Sequence, residues 1–478
     1  MGLLSYKINN SYAYFTNSVT GNSVIEMTYT KPSLDKSGAN APVLTDNMIP
    51  VYYDEASSTW KKADSTNTNK DYKWYDYDNK MWANAVTVTG TNRSTYLNAK
   101  AGTTIPMSDI NTMWVWIPRY TYTYLNTHTP QEINIKFEKG TNSSGTISCS
   151  DTATGESSTS EECTDTTNGG LKAGTSTYTH PAFWWDKDDD NVRESGEELT
   201  GIWVGKFEIS SGYIIKPNVT SLKGPNISTF FINMYNMRNS GNDYGFSKVD
   251  ETHMMKNMEW GAVAYLSHSK YGRCTDGTCT EVTTNNCSSY ITGIGADTVS
   301  ASSSSTTCTT NANKYNGKKG VLASTTGNIY GIYDMSGGIS EYIMGDLVSS
   351  TGIMMSGYYS VNSTHSGFTG YLYKGGQTTL TYDFPDKRYY DKYSYGTNYT
   401  EYARGKLGDA TKEMTANNNS YTSWYSDSAS FPFMYFTWFT RGGTCGNDSS
   451  AGLFNFVGDE GGRSINYFSS RAVISNLN

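Results

Sequence analysis

Gly327–Asp346 reads GNIYGIYDMSGGISEYIMGD, and about ninety residues later Trp438–Phe456 reads WFTRGGTCGNDSSAGLFNF. EWGAVAYL, Glu259–Leu266, lies ahead of both, and SSRAVI, Ser469–Ile474, follows them. Most of this is short aromatic and β-branched runs cut by Gly, Asn, Asp and Ser, the pattern of strands joined by turns. Similar runs recur at Met113–Tyr124, Gly201–Ile209 and Pro432–Thr440. A helical spacing stands out over 251–266, where Met254, Met258, Ala262 and Tyr265 fall on one face behind an acidic first turn. The pattern predicts an α+β chain that is strand- and loop-rich, with few helices.

The 478 residues carry 37 Lys and Arg against 45 Asp and Glu, a net charge of −8. With no basic excess to release counterions, the chain is no nucleic-acid binder and no reader of anionic membranes. Aliphatic residues are sparse, but 39 Tyr and 11 Trp bring the aromatic share to 14%. Each buries a large area, so the core is expected to use Tyr and Trp where other proteins use Leu. Trp114, Trp116, Trp184, Trp185 and Trp203 sit in dense aromatic strands. They could stack on sugar rings, but tryptophans alternating along strands usually bury, and core is the expectation. No stretch reaches the roughly 18 apolar residues of a membrane span. Met1–Phe15 lacks the basic start and apolar centre of a secretion signal, so either the chain leaves the cell another way or a leader lies upstream. Residues 1–100, rich in Tyr, Asp, Lys and Asn, read as a small β-rich segment, a stalk or packing arm. Residues 101–478 read as one domain with polar insertions near 141–176, 272–320 and 359–428.

Six of the seven cysteines lie in Ser/Thr/Asn-rich stretches, which points to an oxidising compartment and local disulfides Cys149–Cys163, Cys274–Cys279 and Cys287–Cys308. Zinc is the weaker reading, because the C-x4-C pair at 274–279 has no partner pair of suitable spacing with a histidine nearby. DKDDDNVRESGE, Asp186–Glu197, has the spacing of a calcium loop. Asp186, Asp188 and Asp190 take positions 1, 3 and 5, Val192 offers a carbonyl at 7, Glu194 stands at 9 and Glu197 closes at 12. Asn191 holds the position where Gly is usual. The alternative is a solvated acidic hairpin tip. The expected cofactor is structural calcium, with no redox cofactor.

In order, EWGAVAYL, the 327–346 segment, the R-G-G strand and the closing S-x-R-x-V-I resemble the formylglycine-generating enzyme family, whose domain is a C-type-lectin-like fold. The resemblance covers roughly residues 180–478. It implies a copper site of two cysteines just after the R-G-G strand, but only Cys445 stands there, so the catalytic reading fails on its ligands. Iron-using relatives need a histidine set, and His128, His180, His253, His268 and His365 show no clustering in sequence. The resemblance also makes Glu341 a calcium ligand with the carbonyls of Gly337 and Ile339, although Gly338 replaces the usual Asn.

The C-terminal pattern, R-G-G, a run of polar slots, A-G-x-F-x-F and a terminal S-x-R-x-V-I, looks like the variable proteins of diversity-generating retroelements. Those proteins use the same fold to display residues altered by adenine-directed copying errors. The resemblance implies a ligand-binding face from Tyr435, Trp438, Thr444, Gly446, Asn447, Asp448, Ser450, Asn455, Val457, Asn466 and Tyr467, with Cys445 in a variable slot. Phe454, Phe456 and the ring of Trp438 would be its framework. Tyr gives rigid contact area, and Ser, Asn and Gly give adaptable hydrogen bonding. The expected protein is non-catalytic and sits outside the cell, on a cell surface or a virion. It binds a protein or glycan receptor, and its homo-oligomeric state is open. Two rivals stay open: an enzyme of this fold using carboxylates such as Glu341 and Asp346, and a structural tail or pilus component.

Overall fold

The computed structural model describes residues 31–142, 172–185, 196–299, 310–348, 385–415, 421–459 and 461–475, with short pieces at 6–8, 11–13, 148–149, 163–164, 304, 308 and 367–368. Contacts divide the chain between Ser33 and Leu34. In the first unit, Tyr6–Ile8 pairs antiparallel with Ser11–Ala13. The second unit, Leu34–Asn478, holds two large sheets.

The larger sheet has seven strands, in spatial order Glu251–Met254, Ala472–Ser475, Gly201–Gly205, Ile110–Pro118, Asn84–Val88, Ile49–Asp54 and Thr59–Lys62. Every neighbouring pair is antiparallel. Ile110–Pro118 is buried at every position except Asn111, as expected of a strand covered on both faces. Trp116 lies directly opposite Trp203, their rings 5.2 Å apart, and Trp74 stacks on Trp203 at 6.5 Å. Trp60, Trp82, Trp114, Trp185, Trp260, Trp424 and Trp438 are buried as well, leaving only Trp184 partly exposed. Indole and phenol rings therefore do the work that the scarce aliphatic side chains do elsewhere.

This sheet corrects the expected boundary near residue 100. The strands of 49–88 are hydrogen-bonded into the same sheet as Gly201–Gly205 and the C-terminal strand, so they are no separate arm.

The second sheet is built on Ser340–Val348. One edge pairs antiparallel with Trp438–Gly442, which pairs with Gly452–Asp459 and then Ala429–Ser430. The other edge is shared by Phe468–Ser470, beside 340–342, and Asp391–Ser394, beside 345–348, both parallel. The three α-helices of the described residues are α1 (Arg93–Asn98), α2 (Ile227–Tyr235) and α3 (Asn257–Ser267). The chain is strand-rich with few helices, as its sequence pattern predicts.

α3 begins later than the spacing suggests. Residues 251–254 form a strand against Ala472–Ser475, and the helix starts where Glu259 accepts a hydrogen bond from the Lys256 backbone N–H at 2.8 Å. All eleven residues of α3 are buried. A Cβ on Gly261 would lie 1.9 Å from the carbonyl oxygen of Gly408, so glycine is what lets the 408–409 turn cross the helix.

Two expected insertions are partly framework. Asn285 bridges Gly337 and donates to Asp334 Oδ1 at 3.0 Å, while Asp391–Ser394 completes the second sheet. Cys274–Cys279 and Cys287–Cys308 are bonded as expected. The backbones of Cys149 and Cys163 pair directly, and their side chains lie outside the described set. No helix among the described residues is long and apolar enough to cross a membrane.

Candidate recognition site

The R-G-G sequence has a physical reason at each position. Arg441 is fully buried and donates to Asn257 Oδ1 at 3.0 Å and to the carbonyls of Asp409 and Ala410 at 3.2 and 3.3 Å. Its guanidinium lies 5.4 Å from the Trp260 ring centre, and burial pushes its pKa down to about 10. Gly442 and Gly443 both have positive φ, 80° and 70°, and turn the chain out of the sheet at a register shift. The loop they open is tied by Asn447, whose Oδ1 accepts from the backbone N–H and hydroxyl of Thr444. A short 3₁₀ turn, Asp448–Ser450, returns the chain to Gly452–Asp459.

Alternation along that returning strand separates framework from slot. Phe454 and Phe456 are buried, packing on Trp424 at 5.0 Å and on Tyr402 at 5.8 Å. Asn455 and Val457, between and after them, line a cavity of about 410 Å³. Ser340, Thr440 and Phe468 of the adjoining strands line it too, with Ser428, Gly443, Thr444, Asn447, Tyr467 and Tyr290. Thr440 is directly opposite Val457 and Ser340 directly opposite Phe468, so register alone places four of these side chains. No Asp, Glu, Lys, Arg or His lines the cavity. Lys223 Nζ sits 4.7 Å over the ring of Tyr290.

Of the residues named from sequence, Thr444, Asn447, Asn455, Val457 and Tyr467 meet in this cavity. Gly446 and Asn466 are exposed beside it, and Asp448 and Ser450 are half-buried in the 3₁₀ turn, outside the lining. Tyr435 is half-buried, edge-on to Phe433 at 5.6 Å. Trp438 is wholly buried, stacked on Phe368 at 6.0 Å, so it is framework and no contact residue. Cys445 is also buried, its backbone N–H bonded to the Gly338 carbonyl at 2.8 Å and its thiol pushed up by burial. It therefore presents nothing to a ligand. Sequence reasoning missed Tyr290 from the 272–320 insertion, Ser428 at the end of the 359–428 insertion, Gly443 of the R-G-G turn, and the strand residues Ser340, Thr440 and Phe468. Strand alternation carried a signal for the three strand residues, whereas nothing in the polar run around Tyr290 did.

Glu341 is not free for a cation. Arg471 donates to both of its carboxylate oxygens, Nε to Oε2 at 3.0 Å and Nη2 to Oε1, and both side chains are fully buried. Arg471 also donates to the carbonyls of Gly205 and Tyr333 at 2.8 and 2.9 Å. A guanidinium engaging both oxygens repels calcium, so these residues do not fit the metal. Burial pushes Glu341 up to about 7, with Arg471 opposing. Asp346 is likewise fully buried, and neither carboxylate lines the cavity. Asp186, Asp188, Asp190, Val192 and Glu194 of the expected calcium loop lie outside the described residues. Glu197 is described and buried, and its Oε2 accepts from Trp184 Nε1 at 3.1 Å.

No family model matches the chain, and neither does any curated protein. Among solved structures it is similar to three chains titled Major Tropism Determinant, the I1, P3c and U1 variants. Identities are 11, 12 and 11%, with TM-scores of 0.27, 0.23 and 0.24, and each comparison covers 92% of this chain and 97% of the other. Overlap of that quality does not establish a shared fold.

Proposed function

We propose that this chain is a non-catalytic receptor-binding protein of a virion or cell surface. Its scaffold is C-type-lectin-like, of the formylglycine-generating-enzyme type, and its C-terminal segment presents an uncharged recognition cavity. One observation carries the reading: slot residues alternate with buried framework aromatics and converge, with Tyr290, on a cavity of about 410 Å³ lined by hydroxyls, amides and rings. Such a lining recognises by shape and hydrogen bonds, with the two tyrosines as anchors. The receptor is a protein or glycan whose bound part is neutral, since a charged group would enter without a counter-charge. The slots are diversified by a retroelement, and the Asp186–Glu197 loop binds calcium in a stiffening role.

Sequencing codons 435–470 across the source population tests the diversification. Adenine-confined substitutions in the slots, with silence at the R-G-G and A-G-x-F-x-F framework, are expected. A segment as invariant as the rest of the gene removes that claim and leaves a fixed adhesin. Recognition itself is tested by Tyr467→Ala and Asn447→Ala in a host-cell binding assay. Each is expected to weaken binding at least tenfold, a loss of about 1.4 kcal/mol or more. Unchanged binding in both would sink the assignment of the face.

A further inference from the structure

A second cluster, built from another part of the chain, brings together three side chains that ligate soft divalent cations. Cys274–Thr275 and Thr278–Cys279 form a hairpin closed by Asp276 and Gly277, both at positive φ. The two cysteines lie directly opposite each other and are disulfide-bonded. His268 caps the C-terminal end of α3, and its Nδ1 is 3.9 Å from Cys274 Sγ. One ligand atom from each of the three residues lies within 4.8 Å of the others, and no other such group occurs among the described residues.

The surroundings fix this arrangement. The His268 ring packs on Trp424 at 4.9 Å and Phe454 at 5.5 Å, and its Nε2 faces the Tyr425 hydroxyl at 2.7 Å. Nδ1 faces the Gln131 carbonyl at 2.9 Å, and because a carbonyl only accepts, Nδ1 carries the ring proton in the disulfide form. Lys80 anchors the hairpin by donating to the Cys274 carbonyl and the Thr275 hydroxyl at 2.8 and 2.9 Å. Zinc–sulfur and zinc–nitrogen bonds of about 2.3 and 2.0 Å put tetrahedral ligand atoms about 3.5–3.8 Å apart. The pocket therefore needs ligand shifts of about an ångström or less, apart from the parting of the two sulfurs and the withdrawal of the Gln131 carbonyl from Nδ1.

We propose that Cys274, Cys279 and His268 form a zinc site that exists only when the hairpin disulfide is open. A dithiol reductant supplies two electrons and two protons, becomes a disulfide itself, and leaves two cysteine thiols. Zinc then displaces a proton from each thiol to give two thiolate ligands. The imidazole proton moves from Nδ1 to Nε2, where the Tyr425 hydroxyl accepts it, so Nδ1 offers its lone pair. Water takes the fourth position. Reoxidation by a small-molecule disulfide, which takes the two electrons and two protons and leaves as a dithiol, re-forms the Cys274–Cys279 bond and expels the metal. The hairpin is thus held by zinc in a reducing compartment and by a covalent bond outside it.

Cobalt(II) titration of the full chain, before and after reduction by a dithiol, tests this through the thiolate-to-cobalt absorption band. One cobalt per chain is expected after reduction and none before, with zinc displacing it. Cys274→Ser/Cys279→Ser should abolish the band, Cys287→Ser/Cys308→Ser should leave it, and His268→Gln should keep it while weakening affinity at least about tenfold. The proposal is overturned if the reduced chain binds no cobalt, or if binding survives in the double serine variant. It is equally overturned if His268→Gln binds as tightly as the parent, since two thiols of an unfolded loop would then explain the signal.

Discussion

Replacing Arg471 with methionine tests the interior of the fold most directly. The guanidinium makes four hydrogen bonds, two to the Glu341 carboxylate and one each to the carbonyls of Gly205 and Tyr333. Removing one member of a buried ion pair costs about 3–5 kcal/mol, because the remaining charge is left unpaired. Glu341 has a way to reduce that cost by taking up a proton. Burial already holds its pKa at about 7, and without Arg471 it rises further. A carboxyl whose folded pKa lies above its unfolded one contributes stability at low pH and loses it as pH rises through the folded value. Arg471→Met should therefore lose about 3–5 kcal/mol at pH 8 and distinctly less at pH 6. Urea unfolding followed by tryptophan fluorescence reads both, given how many indoles are buried. A loss under about 1 kcal/mol at both pH values would refute the reasoning. So would an undiminished loss in the Glu341→Gln background, which should couple to Arg471.

Glu413 is buried among the Tyr122 and Tyr265 hydroxyls and the Leu125 and Gly408 N–H groups, and burial pushes it up to about 7. Its contribution is full below pH 4.5 and is lost as pH rises through 7, about 3 kcal/mol in all, so Glu413→Gln should flatten the stability profile between pH 5 and 8. Gly261→Ala should cost about 1–3 kcal/mol in denaturant unfolding despite alanine's helix propensity, because the new methyl meets the Gly408 backbone. Gly446→Ala, at an exposed position whose nearest atom is 3.4 Å away, should be within about 0.5 kcal/mol of the parent. Calcium at a hundredfold excess over its dissociation constant should stabilise the chelated protein by about 2.7 kcal/mol, and Asp188→Ala should remove that gain. An absence of calcium-dependent melting in the parent would dismiss the loop as a binding site.

The features legible in the sequence are those decided over a few residues. Alternation around Phe454 and Phe456 separates framework from slot because strand geometry leaves no other choice, and the paired glycines after Arg441 mark a left-handed turn. The aromatic core was readable from composition, since so many rings cannot all stay wet. What escaped depends on partners far along the chain. Met254 fits a helical stripe or a strand equally well, and pairing with Ala472 decides for the strand. Glu341 in a loop-to-strand motif reads the same for a metal ligand as for an ion pair, until Arg471, 130 residues later, takes both oxygens. The polar run around Tyr290 has the composition of a loop, and backbone bridges from Asn285 to Gly337 and from Ile291 to Thr220 make it part of the wall.

The strand Ala472–Ser475 lies between Glu251–Met254 and Gly201–Gly205, inside the larger sheet, yet it is encoded after every slot of the recognition face. A frameshift or premature stop anywhere from 435 to 467 removes that strand and opens the sheet to water along two edges at once. Missense changes in the slots leave it intact. The fold thus checks the reading frame of residues 435–467: frame errors end as chains with an unclosed sheet, while single-residue changes there leave the sheet whole.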